Sequence, residues 1–419
     1  MPSLTAAAVG APAANIQRVV SPKGIEAWLV EDYTVPIVSM DFAFIGGAAL
    51  DPSDRNGLSN LMSGLYDEGA GDFDARAYQE RLEEYAVEIS FSSSKDKLEG
   101  SLRTLVENLQ TAVDLLALAV QAPRFDEDAV QRVKAQIIAG LKRDENDPDY
   151  KVWRAFQQAA YPGHPYGRPT LGTIESVTAL TRDDILASHQ ARLTREGLRI
   201  GVVGAIGPQA LSKALDTIFG ALPATAAQPA IADTAMAGLG TNRIVPVAVP
   251  QSTLALGRPA PGRKDPDFLA VFVVNHVLGG GAFTSRLWNE VREKRGLAYS
   301  VWSQLSTGRH ANAFLAGTTT SNERAAESLA IIRQEVLRMA ESGPTADELD
   351  RAKKFLIGSY ALRFDTSRKI AGNLVELQVE DMGMDYIATR NERLAALSLD
   401  DSRRAAGRLL GDGALLVAA

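Results

Sequence analysis

The groups best placed to do chemistry stand in the second half of the chain, in Gly279-Gly280-Gly281-x-x-x-Ser285-Arg286-Leu287-x-x-x-Val291-Arg292-Glu293-Lys294-Arg295-Gly296-Leu297-Ala298-Tyr299-Ser300-Val301. Glycines open this run, a charged helix follows, Gly296 stops it, and a strand begins near Ala298. An Arg and a Tyr hydroxyl held close together, here Arg292 and Tyr299, can both donate hydrogen bonds to a peptide carbonyl or to an oxyanion developing on it. Taken alone, the same two residues also read as a charged helix end and an ordinary strand aromatic. Other candidates carry less. His164, His189, His276 and His310 have no His or Glu at the three- or four-residue spacing that puts two metal ligands on one helix face. The glycine run lacks a P-loop Lys, and Gly201-x-x-Gly204-x-x-Gly207 has neither the spacing nor the downstream acid of a dinucleotide turn. The absence of cysteine removes thiolate metal sites, cysteine nucleophiles and disulfides together.

Such groups need a frame. A chain of 419 residues is too long for one ordinary core, and a composition of 46% hydrophobic and 23% charged residues is that of a globular protein of two to four domains. No stretch approaches the roughly 20 uninterrupted apolar residues of a spanning helix, so membrane insertion is not expected. The formal charge is −7 with the basic residues scattered, so nucleic acid is not an expected partner. Residues 1–15 lack the basic and apolar regions of an intact signal peptide. A soluble cytoplasmic chain and a periplasmic one already relieved of its leader both fit.

Strand-like runs such as 37–44 and 198–203 alternate with long periodic helical segments. Residues 222–241 are dominated by Ala, Pro, Gly and Thr, which reads as a linker over 223–241 between domains at 1–222 and 242–419. An internal repeat supports that cut. Asp128, Arg132, Lys134 and Ile138 return as Asp347, Arg351, Lys353 and Ile357. Leu180-Thr181-x-Asp183-Asp184 returns as Leu397-Ser398-x-Asp400-Asp401, each a helix start with a hydroxyl N-cap and an acid three residues on, and Gly197 returns as Gly413. Each half then reads as an α+β domain, a mainly antiparallel sheet with helices on one face. In the first half, Leu58, Leu61, Met62 and Leu65 make the apolar stripe of a core-facing helix, with Asp54 and Asn56 as possible N-caps. Asn60, Ser63 and Gly64 share the face beside that stripe.

The run from Gly279 to Val301 resembles the second-domain signature of the pitrilysin and mitochondrial-processing-peptidase family of inverted-motif zinc peptidases. The first half, with Gly57-Leu58, His164-Pro165-Tyr166-Gly167, Gly172, Leu180-Thr181 and Val202-Val203-Gly204, is similar in order and spacing to the family's first domain. The resemblance implies duplicated α+β units that close, as two chains or one double-length chain, like a clamshell around a peptide. One half supplies zinc through H-x-x-E-H and a further downstream Glu; the opposite half supplies an Arg and a Tyr. Laid onto this sequence, H-x-x-E-H falls on Asn60-Leu61-Met62-Ser63-Gly64 and the downstream ligand on Gly140. Zinc needs three strong donors and hydrolysis needs a base, and these residues supply neither. The histidines nearest in the first half, His164 and His189, lie far from this helix in sequence.

Arg292 and Tyr299 do stand at the positions of the family's pair. The resemblance therefore implies a non-catalytic subunit of a heterodimeric metallopeptidase, with no cofactor of its own. Zinc is expected in a homologous partner carrying H-x-x-E-H, and Arg292 and Tyr299 would act in trans on a peptide added to a sheet edge. A non-proteolytic peptide-binding or scaffold protein of the same fold is the alternative, an enzyme active alone through another site is a third reading, and self-association into a homodimer is expected where the partner is lacking.

Overall fold

The computed structural model describes residues 15–226 and 228–419; residues 1–14, which carry most of the reading of the chain's beginning, lie outside the described residues. Two sheets form the frame. In the first, strands lie in the order Gln17–Val20, Glu26–Glu31, Leu198–Gly204, Ile37–Ile45, Lys97–Leu105, Glu88–Ser93, all antiparallel except the Glu26–Glu31 and Leu198–Gly204 pair. In the second the order is Ala298–Thr307, Asn312–Ser321, Gln251–Pro259, Leu416–Ala418, Asn242–Arg243, with only the last pair parallel. The chain is α+β, as its sequence reads. Among the described residues no helix is long and apolar enough to cross a membrane.

The repeat is visible in side-chain detail. Lys134 is buried and donates its ammonium hydrogens to the carbonyls of Thr178 (2.9 Å) and Leu180 (2.7 Å). Its counterpart Lys353 donates to the carbonyl of Leu397 at 2.8 Å. Each lysine ties a long helix to the residue just before the next N-cap. That cap is a reciprocal box in both halves, Thr181 with Asp184 and Ser398 with Asp401.

Alternation along the strands decides what each sheet face meets. Val38, Met40, Phe42 and Phe44 point into the first half's own core, under the helices Leu109–Gln121 and Pro208–Phe219, where Phe42 lies edge-on to Phe219 with ring centroids 5.2 Å apart. The second sheet sends Leu254, Leu256, Phe314 and Ala316 toward its own helices, among them Ala325–Ser342 and Leu399–Leu410. The opposite faces are not bare. Helix Ser367–Val379, from the second half, lies across Ile37–Ile45 and Leu198–Gly204 of the first sheet, seating Ala371, Leu374 and Val375 against Trp28, Val203 and Ala43. Helix Pro148–Ala160, its counterpart 219 residues earlier, lies on Gln251–Pro259 and Leu416–Ala418 through Val152, Phe156 and Ala160. The halves thus exchange one helix each.

The exchange explains two sequence features. A Cβ at Gly201 would stand 2.4 Å from the carbonyl oxygen of Ala371, so this glycine admits the crossing helix and is not part of a cofactor turn. Segment 223–241 contains no helix or strand among its described residues, yet it is tied to both halves. The Arg195 N–H bonds the Pro223 carbonyl, the Ala237 N–H bonds the Ala160 carbonyl, and the Thr234 N–H bonds the His310 carbonyl.

Candidate functional site

The first candidate region is built on a helix of six residues, Leu58–Ser63. A helix this short cannot persist on propensity alone. Its apolar stripe is fully packed, with Leu61, Met62 and Leu65 at 0% exposure. Its N-terminus is held by Asp51, which sequence reasoning missed. The Asp51 carboxylate accepts the N–H of Gly57 (3.2 Å), the N–H of Ser59 (3.1 Å) and the hydroxyl of Ser59 (2.6 Å). It also pairs with buried Arg192 at 2.9 Å, and Arg192 donates onward to the carbonyl of Gly47 and to the Ser59 hydroxyl oxygen. The expected caps act elsewhere: Asp54 pairs with Arg55 (2.6 Å), and the Asn56 amide donates to the Ser53 carbonyl (2.8 Å).

On the other face, the Ser63 hydroxyl spends its proton on the Asn60 carbonyl at 2.8 Å. Gly64 closes the helix, and a Cβ there would meet Val133 of helix Glu127–Asp144 at 3.3 Å. Gly140 lies two turns further along that helix, on the side of Val133. The positions in question thus carry an amide, an engaged hydroxyl and two glycines. They bring neither three strong donors nor a base. Among the described residues no group of three or more His, Asp or Glu is placed to hold a metal ion.

One histidine is closer than the sequence suggests. Helix Arg182–Arg192 packs on Leu58–Ser63 and brings the His189 Nδ1 within 3.0 Å of the hydroxyl of Tyr66. Burial pushes its imidazole down to about 4, so it is neutral at ordinary pH. A single imidazole engaged by a tyrosine does not make a zinc site. His164 bonds the Ala232 carbonyl (2.9 Å), His276 stacks on Phe355, and His310 contacts Asp233 (3.1 Å).

The second region brings Arg292 and Tyr299 together. Arg292 sits in the π-helical turn Trp288–Glu293, which ends where Gly296 takes φ +58 and turns the chain toward the strand Ala298–Thr307. Its guanidinium lies 4.2 Å from the Trp288 ring centroid and 4.6 Å from that of Tyr299. It is clamped between two π-faces. No hydrogen bond or ion pair engages it among the described residues, so its N–H donors are uncommitted. Trp288 is itself positioned by its indole N–H to Glu293 (3.0 Å) and by Phe283, edge-on at 4.6 Å.

Tyr299 is 81% exposed. Ala298 pairs with Thr320 and Val301 with Thr318, so Tyr299 and Ser300 together oppose a single residue. This is a β-bulge on an edge strand, a device that re-aims a side chain. The Thr318 hydroxyl fixes it by donating to the Ser300 carbonyl at 2.7 Å. The glycine run serves packing: a Cβ at Gly279 would stand 2.5 Å from Ser303 Oγ and 2.7 Å from the Ser303 nitrogen. The bulge, Trp288 and Phe283 were beyond sequence reasoning, although Trp288, four residues before Arg292, stood in the run.

Comparison with known proteins agrees with this architecture. Residues 28–174 match the model described as insulinase (peptidase family M16), and residues 179–356 match the one described as the peptidase M16 inactive domain. A non-peptidase homolog, YmxG, of Helicobacter pylori is 27% identical over 337 residues, covering 80% of this chain and 78% of its own. An uncharacterized zinc protease of Streptomyces coelicolor is 27% identical over 410 residues, covering 95% and 88%. The crystal structure of a peptidase M16 inactive domain from Pseudomonas fluorescens superposes with a TM-score of 0.90 at 25% identity, covering 96% of this chain and 97% of that one. The chain belongs to peptidase family M16.

Proposed function

We propose that this chain is the non-catalytic subunit of a heterodimeric zinc peptidase. In this reading Asn60, Ser63, Gly64 and Gly140 occupy the positions of a lost zinc site. The metal and the water-activating base come from a homologous partner with H-x-x-E-H, and Arg292 and Tyr299 reach the peptide in trans. The observation that carries the reading is the state of Arg292. Its charge is held by aromatic faces instead of a carboxylate, which fixes its direction while leaving its donors for a ligand. The exposed Tyr299 hydroxyl next to it adds a neutral donor. Both lie where an edge strand can accept an extended peptide.

Donors aimed at an oxyanion are worth about 10²- to 10³-fold in rate each. Peptide cleavage is measured with this chain alone, the zinc-bearing partner alone, and both together. Turnover confined to the mixture, and reduced by roughly that factor by Arg292→Ala or Tyr299→Phe without loss of assembly, is the expected result. Chelator-sensitive turnover by this chain alone would overturn it. The kinship with a protein named a non-peptidase homolog favours a second reading, a peptide-binding protein that has left proteolysis. Peptide binding lost in Arg292→Ala, with no cleavage in any mixture, would select it. Without a partner the chain is proposed to self-associate.

A further inference from the structure

Beside the seam between the halves lies a cavity of about 280 Å³ that receives three guanidinium groups. Arg390, from helix Tyr386–Ala395, is 5% exposed. It donates to the carbonyl of Leu356 (3.1 Å) and to Asn391 Oδ1 (2.8 Å), and it lies 4.1 Å over the ring of Tyr360. No acid pairs with it among the described residues. Arg263 lies 5.1 Å over Phe268 and 5.6 Å over Tyr386, and pairs with Glu380 at 2.8 Å. Arg363, from the turn Ser359–Phe364, also lines the cavity and forms no ion pair among the described residues. The other carboxylate of the lining, Glu376, pairs with Lys97, which also pairs with Glu99 at 3.0 Å.

Three guanidinium groups therefore share a partly enclosed space with two carboxylates, Glu376 and Glu380, an excess of one positive charge, and two of the three, Arg363 and Arg390, have no acid of their own among the described residues. Burial depresses the Arg390 guanidinium below its ordinary value. Unpaired charge in such surroundings is costly, and the cost is removed by a counter-ion of matching charge and geometry. Guanidinium forks suit tetrahedral oxyanions, which accept paired hydrogen bonds from each planar group. We propose that this cavity binds an oxyanion of the phosphate type, either free phosphate or a phosphate monoester. It stands apart from Arg292 and Tyr299, so the proposal does not depend on the peptidase reading.

The full-length chain is titrated calorimetrically at pH 7.5 and constant ionic strength with inorganic phosphate, with O-phosphoserine as the monoester, and with acetate and chloride as controls. Saturable one-to-one binding of phosphate or phosphoserine, with a rise in Tm that acetate and chloride do not give, is expected. Tighter phosphoserine binding would identify a monoester as the occupant; equal or tighter phosphate binding would identify the free ion. Arg363→Gln, at an exposed position, should leave the ligand-free Tm unchanged and weaken binding about tenfold or more, the loss of one charge-assisted contact. Arg390→Lys keeps the charge but removes the fork and should weaken it similarly. No phosphate effect beyond chloride, acetate binding as tightly as phosphate, or both variants binding as the parent does would overturn the proposal.

Discussion

Asp41 shows what a single residue tolerates in this frame. It points to the face of Ile37–Ile45 that helix Ser367–Val379 covers, and a Cβ at Gly372 of that helix would stand 3.1 Å from its Oδ2. Burial pushes its carboxyl up to about 6; Arg368 pulls it down and Glu99 pushes it up further. A carboxyl raised above its unfolded value favours the protonated fold, so stability falls as the pH climbs from about 4 through 6 and is flat above. Asp41→Asn should therefore be more stable than the parent by about 1–2 kcal/mol at pH 7.5, after discounting for partial exposure, with the difference vanishing near pH 4. Urea unfolding of both proteins between pH 4 and 8 measures this, and a gap independent of pH would refute it. Such residues were not legible in the sequence, because Asp41 meets Gly372 across more than three hundred residues of chain. Arg292 and Tyr299 were legible because their partners are local, within a dozen residues.

At the scale of one element, helix Leu58–Ser63 separates frame from face. Its stripe and its neutral polar residues were readable from a 3.6-residue period, and the capping boxes at Thr181 and Ser398 from their acids three residues on. Its own cap was not, since Asp51 acts through space and its counter-ion Arg192 is 141 residues away. The frame is expected to carry the energy. Asp51→Ala strands a buried guanidinium and removes the cap, at a cost of about 3–5 kcal/mol. Asn60→Ala and Ser63→Ala remove neutral polar groups that hold no buried charge and should each cost about 0.5–1 kcal/mol or less. Thermal unfolding of the three variants checks the ordering. If Asn60→Ala or Ser63→Ala matched Asp51→Ala, the face would be structural and its polar residues no remnant. The bulge at Tyr299 belongs to the same scale: periodicity predicts a strand there but not the extra residue, which depends on the Thr318 and Thr320 hydroxyls of the neighbouring strand.

The whole molecule is held by the exchange of helices, and this decides how it responds to damage. Duplication was readable in the sequence as two halves at a constant offset. What the offset could not tell is that the counterparts Pro148–Ala160 and Ser367–Val379 each complete the other half's sheet. The faces these helices cover carry small and mixed residues, such as Ser39, Asp41 and Ala43, and no local pattern in them tells which half supplies the cover. Neither sheet can shed its foreign helix without exposing apolar surface, and Gln378 adds a polar tie by donating to the carbonyl of Ile200 at 2.8 Å. Leu374, at 0% exposure, packs helix Ser367–Val379 on the first sheet, although it belongs to the second half. Leu374→Ala should cost about 2–5 kcal/mol. The loss should be felt as one cooperative unit, with a single thermal transition at lower temperature. Hydrogen exchange should then accelerate together in Ile37–Ile45 and in Gln251–Pro259, strands of different sheets. Acceleration confined to the first sheet, or a transition that splits in two, would show halves that fold independently and contacts at the seam that contribute little. A rigid seam is also what the proposed trans role would need, because a donor pair on one half could be aimed at a partner's metal only if its own frame did not hinge.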